Sequence, residues 1–283
     1  MLTVSLLSVT PIRSFALHHP ESVELGPHGE VDDRRFTLLT DAGRIFDAST
    51  FGPLVQARAE LSRTDDGVER LAVHLPSGEV VDGEVELGSP MMVEIFGRVF
   101  TVRPVIGPWA DALSAHAGRR LQLVRSERLE EERDRSPVSI VSEASVEELA
   151  RQGNEGRPVD ARRFRMLVQV AGAEQPHEED EWLGSDVRIG DAVVRVSRPN
   201  TRCVITTHDP ESGERDFPTL HVIRRYRGLR DGDKLDFGVY ADVVTSGRVS
   251  VGDEITVHAP PSTPTGRGRP ASPGDRSSAT APR

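Results

Sequence analysis

A chain of 283 residues, 36% hydrophobic and 28% charged, is long enough to bury a sizeable core and has room for about two domains. Its formal charge of −10 excludes a general nucleic-acid surface, which needs a net basic face to displace counterions; an anion site has to be gathered from local arginines. One cysteine, Cys203, excludes an internal disulfide and a cysteine-held iron–sulfur cluster, so electrons, where needed, come from another protein. No run approaches the roughly 18 apolar residues of a membrane span, and residues 1–14 lack the basic start and long apolar centre of a secretory signal, which predicts a cytoplasmic protein.

In chain order, residues 2–9 (LTVSLLSV) predict a strand that ends in a turn at Pro11, and residues 23–25 a second short strand before the turn at 26–29. Asp33 to Phe36 leads into a strand at 37–40 with Phe36, Leu38 and Thr40 on one face. Residues 41–43 form a hairpin turn from which 44–48 return, and Gly52-Pro53 turns the chain into a strand at 56–61. Segments 68–75, 79–85 and 91–102 predict more short strands, and strands with such regular turns indicate a β-barrel or sandwich-like unit. The register VELGSPMMV recurs as VRIGDAVVRV and VSVGDEITV; the spacing is too irregular for a solenoid, so reused hairpins are expected.

Residues 108–117 predict a helix with Trp109, Leu113 and Ala117 on one face and Gly118 as its stop. A strand at 121–124 follows, then a mixed-charge run at 127–135 that predicts a solvated helix or loop without chemistry. Residues 136–141 predict a strand and then a helix, for which Ser145 and Glu148 have capping-box spacing and Val146, Leu149 and Ala150 form the apolar stripe. Residues 162–170 begin basic and end as a strand; 192–196 is a strand delivering the chain to the turn at 198–203. A strand-like run at 204–207, a tight turn at 209–213, a helix at 219–227 with Leu220, Ile223 and Arg227 on one face, and closing strands around Phe237, Tyr240 and Val243 to Val257 complete the ordered part. From Ala259 the composition shifts to six prolines with no large aliphatic or aromatic residue, which predicts a disordered tail.

The chemistry concentrates at residues 197–216, SRPNTRCVITTHDPESGERD. Cys203 lies beside Arg202 and near Arg198, a cationic setting that favours the thiolate and makes it a candidate metal ligand. The alternative is a small buried hydrophobe. His208 is read as an ordinary strand-end histidine, and there is no P-loop, GxGxxG after a strand, HExxH or GxSxG.

Arg-Pro-x-Thr-Arg-Cys, two threonines after an aliphatic pair, and then Asp-Pro-x-x-Gly-Glu resemble the signature of the MOSC family, most closely its amidoxime-reducing proteins, and the likeness extends over about residues 2–257. The resemblance implies an α+β, strand-rich fold: a MOSC β-barrel-like domain at 104–258 preceded by a smaller β-rich MOSC N-terminal domain at 1–103, with 259–283 as the tail. It also implies a molybdenum cofactor of the molybdopterin type, with Cys203 as the metal's protein ligand and the catalytic residue. The implied cofactor contacts are Arg13 (in place of the family's lysine), Ser14, Arg34, Ser136, Arg165, Thr201 and Arg202. Pyridoxal phosphate is not expected. Relatives carry Phe-Arg-Pro-Asn where this chain has Phe164-Arg165-Met166-Leu167, and leucine cannot hydrogen-bond, so one polar anchor is expected to be missing.

By the same resemblance the reaction is a two-electron oxygen-atom transfer reducing small N-hydroxylated substrates. Electrons would come from a separate ferredoxin, flavoprotein or cytochrome, with no nucleic acid or membrane as partner. The alternative is a carrier of the cofactor or of sulfur without its own reductase activity. Either way, an acidic chain has to draw Arg13, Arg34, Arg165 and Arg202 to one place.

Overall fold

The computed structural model describes residues 1–95, 98–126, 136–153 and 155–258. The charge run at 127–135 and the tail from Ala259 lie outside the described residues. In chain order the strands are β1 (Leu2–Leu7), β2 (Ser22–Gly26), β3 (Gly29–Glu30), β4 (Phe36–Thr40), β5 (Arg58–Arg63), β6 (Glu69–His74), β7 (Val80–Glu84), β8 (Glu86–Leu87), β9 (Met91–Ile95), β10 (Arg98–Ile106), β11 (Leu121–Ser126), β12 (Val138–Ser142), β13 (Val168–Ala171), β14 (Asp186–Ile189), β15 (Ala192–Thr201), β16 (Asp236–Thr245), β17 (Gly247–Ser250) and β18 (Glu254–His258). Among the described residues three α-helices join them: α1 (Trp109–Ala117), α2 (Glu143–Gly153) and α3 (Thr219–Arg227).

The strand-rich α+β expectation is met by a closed barrel in the order β1-β13-β12-β16-β15-β14-β18, which β1 closes by pairing with β18. Closure leaves no free edge. The pair β12–β13 is parallel, which requires a crossover, and α2 lies on that connection. Along β15 the residues Ala192, Val194 and Val196 are buried while Arg195 is exposed, the two-residue period of a strand with one face on a core. These side chains meet Val4, Leu7, Ile140, Val168, Val239 and Ile255 inside the barrel.

A second core lies outside the barrel. It joins the sheet β4-β11-β10-β8 and the sheet β5-β6-β7 around Phe15, Phe36, Leu38, Leu54, Leu71, Trp109, Leu113 and Leu123. Trp109 is fully buried and donates its Nε1–H to the carbonyl of Leu71 at 3.1 Å. β4 is covered on both faces: Phe36 and Leu38 enter this core from one face, as the two-residue period predicts, and Leu39 joins Val93, Phe100, Val102 and Val124 on the other side. The two cores do not follow a cut between residues 103 and 104. β1 belongs to the barrel, whereas α1 and β11 pack with the earlier strands, because each finds its apolar complement there.

Local expectations are met in part. α1 ends at Gly118 with φ 65°, the left-handed stop that glycine takes without strain. α2 buries Val146, Leu149 and Ala150, but Ser145 and Glu148 form no capping box. Instead the Ser145 N–H donates to Ser142 Oγ at 3.2 Å, the hydroxyls of Ser142 and Ser145 each donate to the buried Glu179 at 2.7 Å, and Glu148 pairs with Arg151. Next to Glu179, Asp180 pairs with Arg227 and Trp182 is buried in the barrel core. α3 buries Thr219, Val222 and Ile223 rather than a Leu220–Arg227 face. Residues 91–102 form two strands, β9 and part of β10, paired antiparallel. Of the three similar registers, VRIGDAVVRV is the β14–β15 hairpin, whereas β8 and β9 both pair with β10, and β17 and β18 pair with different strands.

Residues 204–207 form a 3₁₀ turn, not a strand, because Thr206 and Thr207 return their hydroxyls to the carbonyls of Cys203 (3.0 Å) and Val204 (2.7 Å). The following turn is built on Asp209, which accepts the N–H groups of Glu211 (3.0 Å) and Ser212 (2.7 Å). It then packs against the 3₁₀ turn Gly52–Gln56: Gln56 donates to the Ser212 carbonyl at 3.1 Å, and a Cβ on Gly52 would overlap the carbonyl of Gly213. Gly52→Ala is therefore expected to lower stability by about 1–3 kcal/mol, read as a reduced denaturant midpoint at unchanged slope.

Candidate functional site

Where the barrel meets the second core, a cavity of about 160 Å³ opens, far above the roughly 10–15 Å³ a single water needs. Arg13, Ser14 and Arg34 line it from the start of the chain; Ser136, Pro137 and Ser139 from the entry to β12; Phe164 and Arg165 from the segment before β13; Asn200, Arg202 and Ile205 from the end of β15 and the turn beyond; and Tyr240 from β16. The expected convergence of four arginines from distant parts of the chain is thus observed.

The backbone is strained at this cavity. Ser14, Arg34 and Arg165 have φ values of 73°, 56° and 53°, in a region costing about 1–2 kcal/mol per residue for side chains with a Cβ. Hydrogen bonds hold them there. Asp33, 1% exposed, accepts the Thr10 N–H at 3.0 Å and the Arg34 guanidinium at 2.9 Å. Arg34 reaches on to the carbonyl of Arg165 at 2.6 Å, and Arg165 donates in turn to the carbonyl of Phe15.

Arg202 is set by its guanidinium donating to the carbonyl of Phe164 and, at 3.3 Å, to Met166 Sδ, while it lies 5.3 Å over the Phe164 ring. That ring stacks on Phe237 at 4.3 Å. The turn after Cys203 is held by Arg163, which is 4% exposed. Its guanidinium grips Asp216 through bonds of 3.0 and 2.9 Å and donates to the carbonyls of Thr206 (3.2 Å) and His208 (3.4 Å). Sequence reasoning passed over Arg163, whose only signal was its place in the basic run at 162–165.

Among the described residues neither Arg165 nor Arg202 hydrogen-bonds to a carboxylate; their partners are carbonyl oxygens and a sulfur. Desolvation, and then the neighbouring charges of Arg34 and Arg13, pull the pKa of Arg165 down to about 9. Arg202 is lowered as well, chiefly by desolvation, with Arg34 adding to it against the opposing influence of Tyr240 and Cys203. Arg165 remains a guanidinium ion at neutral pH, so the cavity carries positive charge that a bound anion would offset.

Six of the eight expected site residues line this cavity: Arg13, Ser14, Arg34, Ser136, Arg165 and Arg202. Thr201 does not. The β15–β16 register sets it opposite Asp236, to which its hydroxyl donates at 2.8 Å. Cys203 is exposed, which removes the buried-hydrophobe alternative; it follows Arg202 directly and begins the 3₁₀ turn, although its side chain is not among those lining the cavity. His208 is buried, with Nε2 accepting from Arg215 at 3.2 Å, a structural role. Leu167 points into the barrel core at 1% exposure, so it marks no gap in the cavity wall. Among the described residues no group of three or more His, Cys, Asp or Glu side chains could hold a metal ion.

Sequence reasoning missed Ser139, Phe164, Asn200, Ile205 and Tyr240 as cavity residues. Asn200 sat within the turn already singled out, three positions before Cys203, whereas Tyr240 is brought in by strand pairing and had no local signal.

Residues 129–256 match the family model of the MOSC domain. The chain carries a MOSC domain. Mouse mitochondrial amidoxime-reducing component 1 is 34% identical over 130 residues, covering 43% of this chain and 36% of the mouse protein, so that match spans little more than a third of the relative's length. The Xenopus laevis protein of the same name is 27% identical over 284 aligned positions, covering 89% of this chain and 81% of the frog protein. The molybdenum cofactor sulfurase of Caenorhabditis briggsae is 27% identical over 246 positions, covering 84% of this chain and 33% of that protein. Among solved structures, the YUAD protein of Bacillus subtilis aligns over 92% of this chain and 97% of its own, with 14% identity and a TM-score of 0.43. The MOSC domain supplies most of the cavity wall, while Arg13, Ser14 and Arg34 come from before it. No helix among the described residues is long and apolar enough to cross a membrane.

Inorganic phosphate at constant ionic strength is expected to raise the melting temperature at pH 7, and Arg165→Leu, which also leaves the Phe15 carbonyl without its donor, to lower the phosphate-free melting temperature and to shrink the increment that phosphate adds to it. The folded-state pKa of Arg165 lies below its unfolded value, so the cost of burying its charge is present below pH about 9 and is relieved above it. The phosphate response should fade over the same range, as thermal melts across pH would show.

Proposed function

We propose that this protein is a molybdenum-cofactor-dependent reductase of N-hydroxylated compounds that receives electrons from a separate protein. The observation that carries this reading is the meeting of Arg13, Arg34, Arg165 and Arg202, drawn from both halves of an acidic chain, around one cavity, with the exposed Cys203 directly following Arg202. The residues fit such a group: among the described residues Asn200 Oδ1 and Arg202 Nε are buried without hydrogen-bond partners, and no carboxylate hydrogen-bonds to Arg165 or Arg202. The relatives named above, amidoxime-reducing components and a cofactor sulfurase, support the same direction.

On this reading the guanidinium groups hold the cofactor's anionic part through charge-assisted hydrogen bonds, with the hydroxyls of Ser14 and Ser136 as neutral partners. Thr201, committed to Asp236, takes no part. Cys203 offers its thiolate as the one protein ligand to the metal, soft sulfur suiting that metal. The bound cofactor supplies the two-electron oxygen-atom transfer, and the chain orients the substrate. The cytoplasm, which keeps a lone thiol reduced, is the compartment this chemistry suits.

A carrier of the cofactor or of sulfur is the second reading, and one observation favours it: among the described residues no His, Asp or Glu lines the cavity, so a reductase built on them would draw its two protons from solvent. Protein purified from cells able to make the cofactor separates the two. Stoichiometric molybdenum that is lost in Cys203→Ser, together with reduction of a benzamidoxime-type substrate by a supplied reductant, is the expected result. Cofactor without reduction would make it a carrier, and a protein free of molybdenum would overturn the proposal.

A further inference from the structure

The inner wall of the cavity is organised around one sulfur. Met166 is 5% exposed, and its Sδ accepts from Asn200 Nδ2 and from Arg202 Nη1, each at 3.3 Å. Since sulfur accepts and does not donate, the contact orients the Asn200 amide with nitrogen toward Met166 and leaves Oδ1 for something else. Nothing among the described residues takes it. Asn200 is 2% exposed, and its Oδ1 has no hydrogen-bond partner.

Bare buried carbonyl groups are rare, and this one belongs to a side chain that lines a cavity large enough for a ligand. The residue sits where the β15–β16 register shifts, between Pro199 opposite Val239 and Thr201 opposite Asp236. Beside it, Arg202 Nε–H is also buried and unpartnered. Two side chains tethered to one sulfur therefore present one free acceptor and one free donor. An anionic oxygen could use only the donor. A nitrogen heterocycle with a ring N–H next to an acceptor atom can use both.

We propose that Asn200 is a ligand-recognising residue of this cavity, its Oδ1 accepting a hydrogen bond from an N–H of the bound cofactor's fused nitrogen heterocycle while Arg202 Nε–H donates to the neighbouring acceptor. This inference rests on the cofactor reading above and extends it from the arginines, which hold an anion, to a neutral side chain that reads the heterocycle. It also means that the missing asparagine at position 167 leaves the cavity with an amide of its own.

The test compares wild type with Asn200→Leu, which keeps the bulk and removes both polar atoms, and with Met166→Leu, which conserves volume and frees the amide to rotate. Retained molybdenum and fluorescent oxidised pterin are measured after dialysis, and melting temperature is measured on protein made in cells that lack the cofactor. Asn200→Leu is expected to retain about tenfold less cofactor, with Met166→Leu intermediate. The cofactor-free Asn200→Leu protein should melt at the wild-type temperature or above, because an unpaired buried carbonyl has been removed. Equal retention in both variants overturns the inference and leaves the cofactor reading intact; a lower melting temperature for cofactor-free Asn200→Leu makes Asn200 structural and also overturns it. A wild type that carries no cofactor overturns both.

Discussion

The structure turns on a reciprocal stitch between two arginines: Arg34 donates to the carbonyl of Arg165, and Arg165 donates to the carbonyl of Phe15. Each guanidinium thereby satisfies main-chain oxygen contributed by the other part of the chain, and each residue sits at positive φ to do so. A left-handed turn aims the side chain where an extended one would not, and the buried Asp33 anchors the first of the pair. The stitch binds the start of the chain to the segment before β13, and the cavity is the space left around it.

From that constraint follows the electrostatic character of the site. The molecule as a whole is acidic, and Arg34 pairs with Asp33, yet Arg165 and Arg202 are spent on carbonyls, a sulfur and an aromatic face, so their charge is left for a ligand. Desolvation makes this costly in the empty protein, and the cost is visible in the depressed basicity of Arg165 and Arg202. A site that stores unfavourable charge in this way gains more from binding an anion than an exposed arginine cluster would.

The segment carrying Cys203 is held with comparable care from behind. Arg163, buried beneath it, ties Thr206, His208 and Asp216 together, Thr219 of α3 adds a hydroxyl to the Thr206 carbonyl, and the next turn fits against Gly52 with no room for a side chain. The exposed thiol therefore rides on a rigid support, the condition a precise ligand position requires.

Much of this was legible in the residues themselves. The alternation of apolar residues marked most of the strands, Trp109 to Gly118 marked α1, and an arginine-flanked lone cysteine marked the site, because periodicity, helix stops and local charge are written over a few neighbouring positions. Tertiary structure decided the rest. Glu179 took the serines that resembled a capping box, strand register turned Thr201 toward Asp236 and Tyr240 toward the cavity, and Met166 fixed the Asn200 amide with its oxygen bare. β1 joined a barrel whose other strands begin at residue 138. Each of these depends on partners tens of residues away, and the residue types alone do not say which of several possible partners will be near; only the packed chain does.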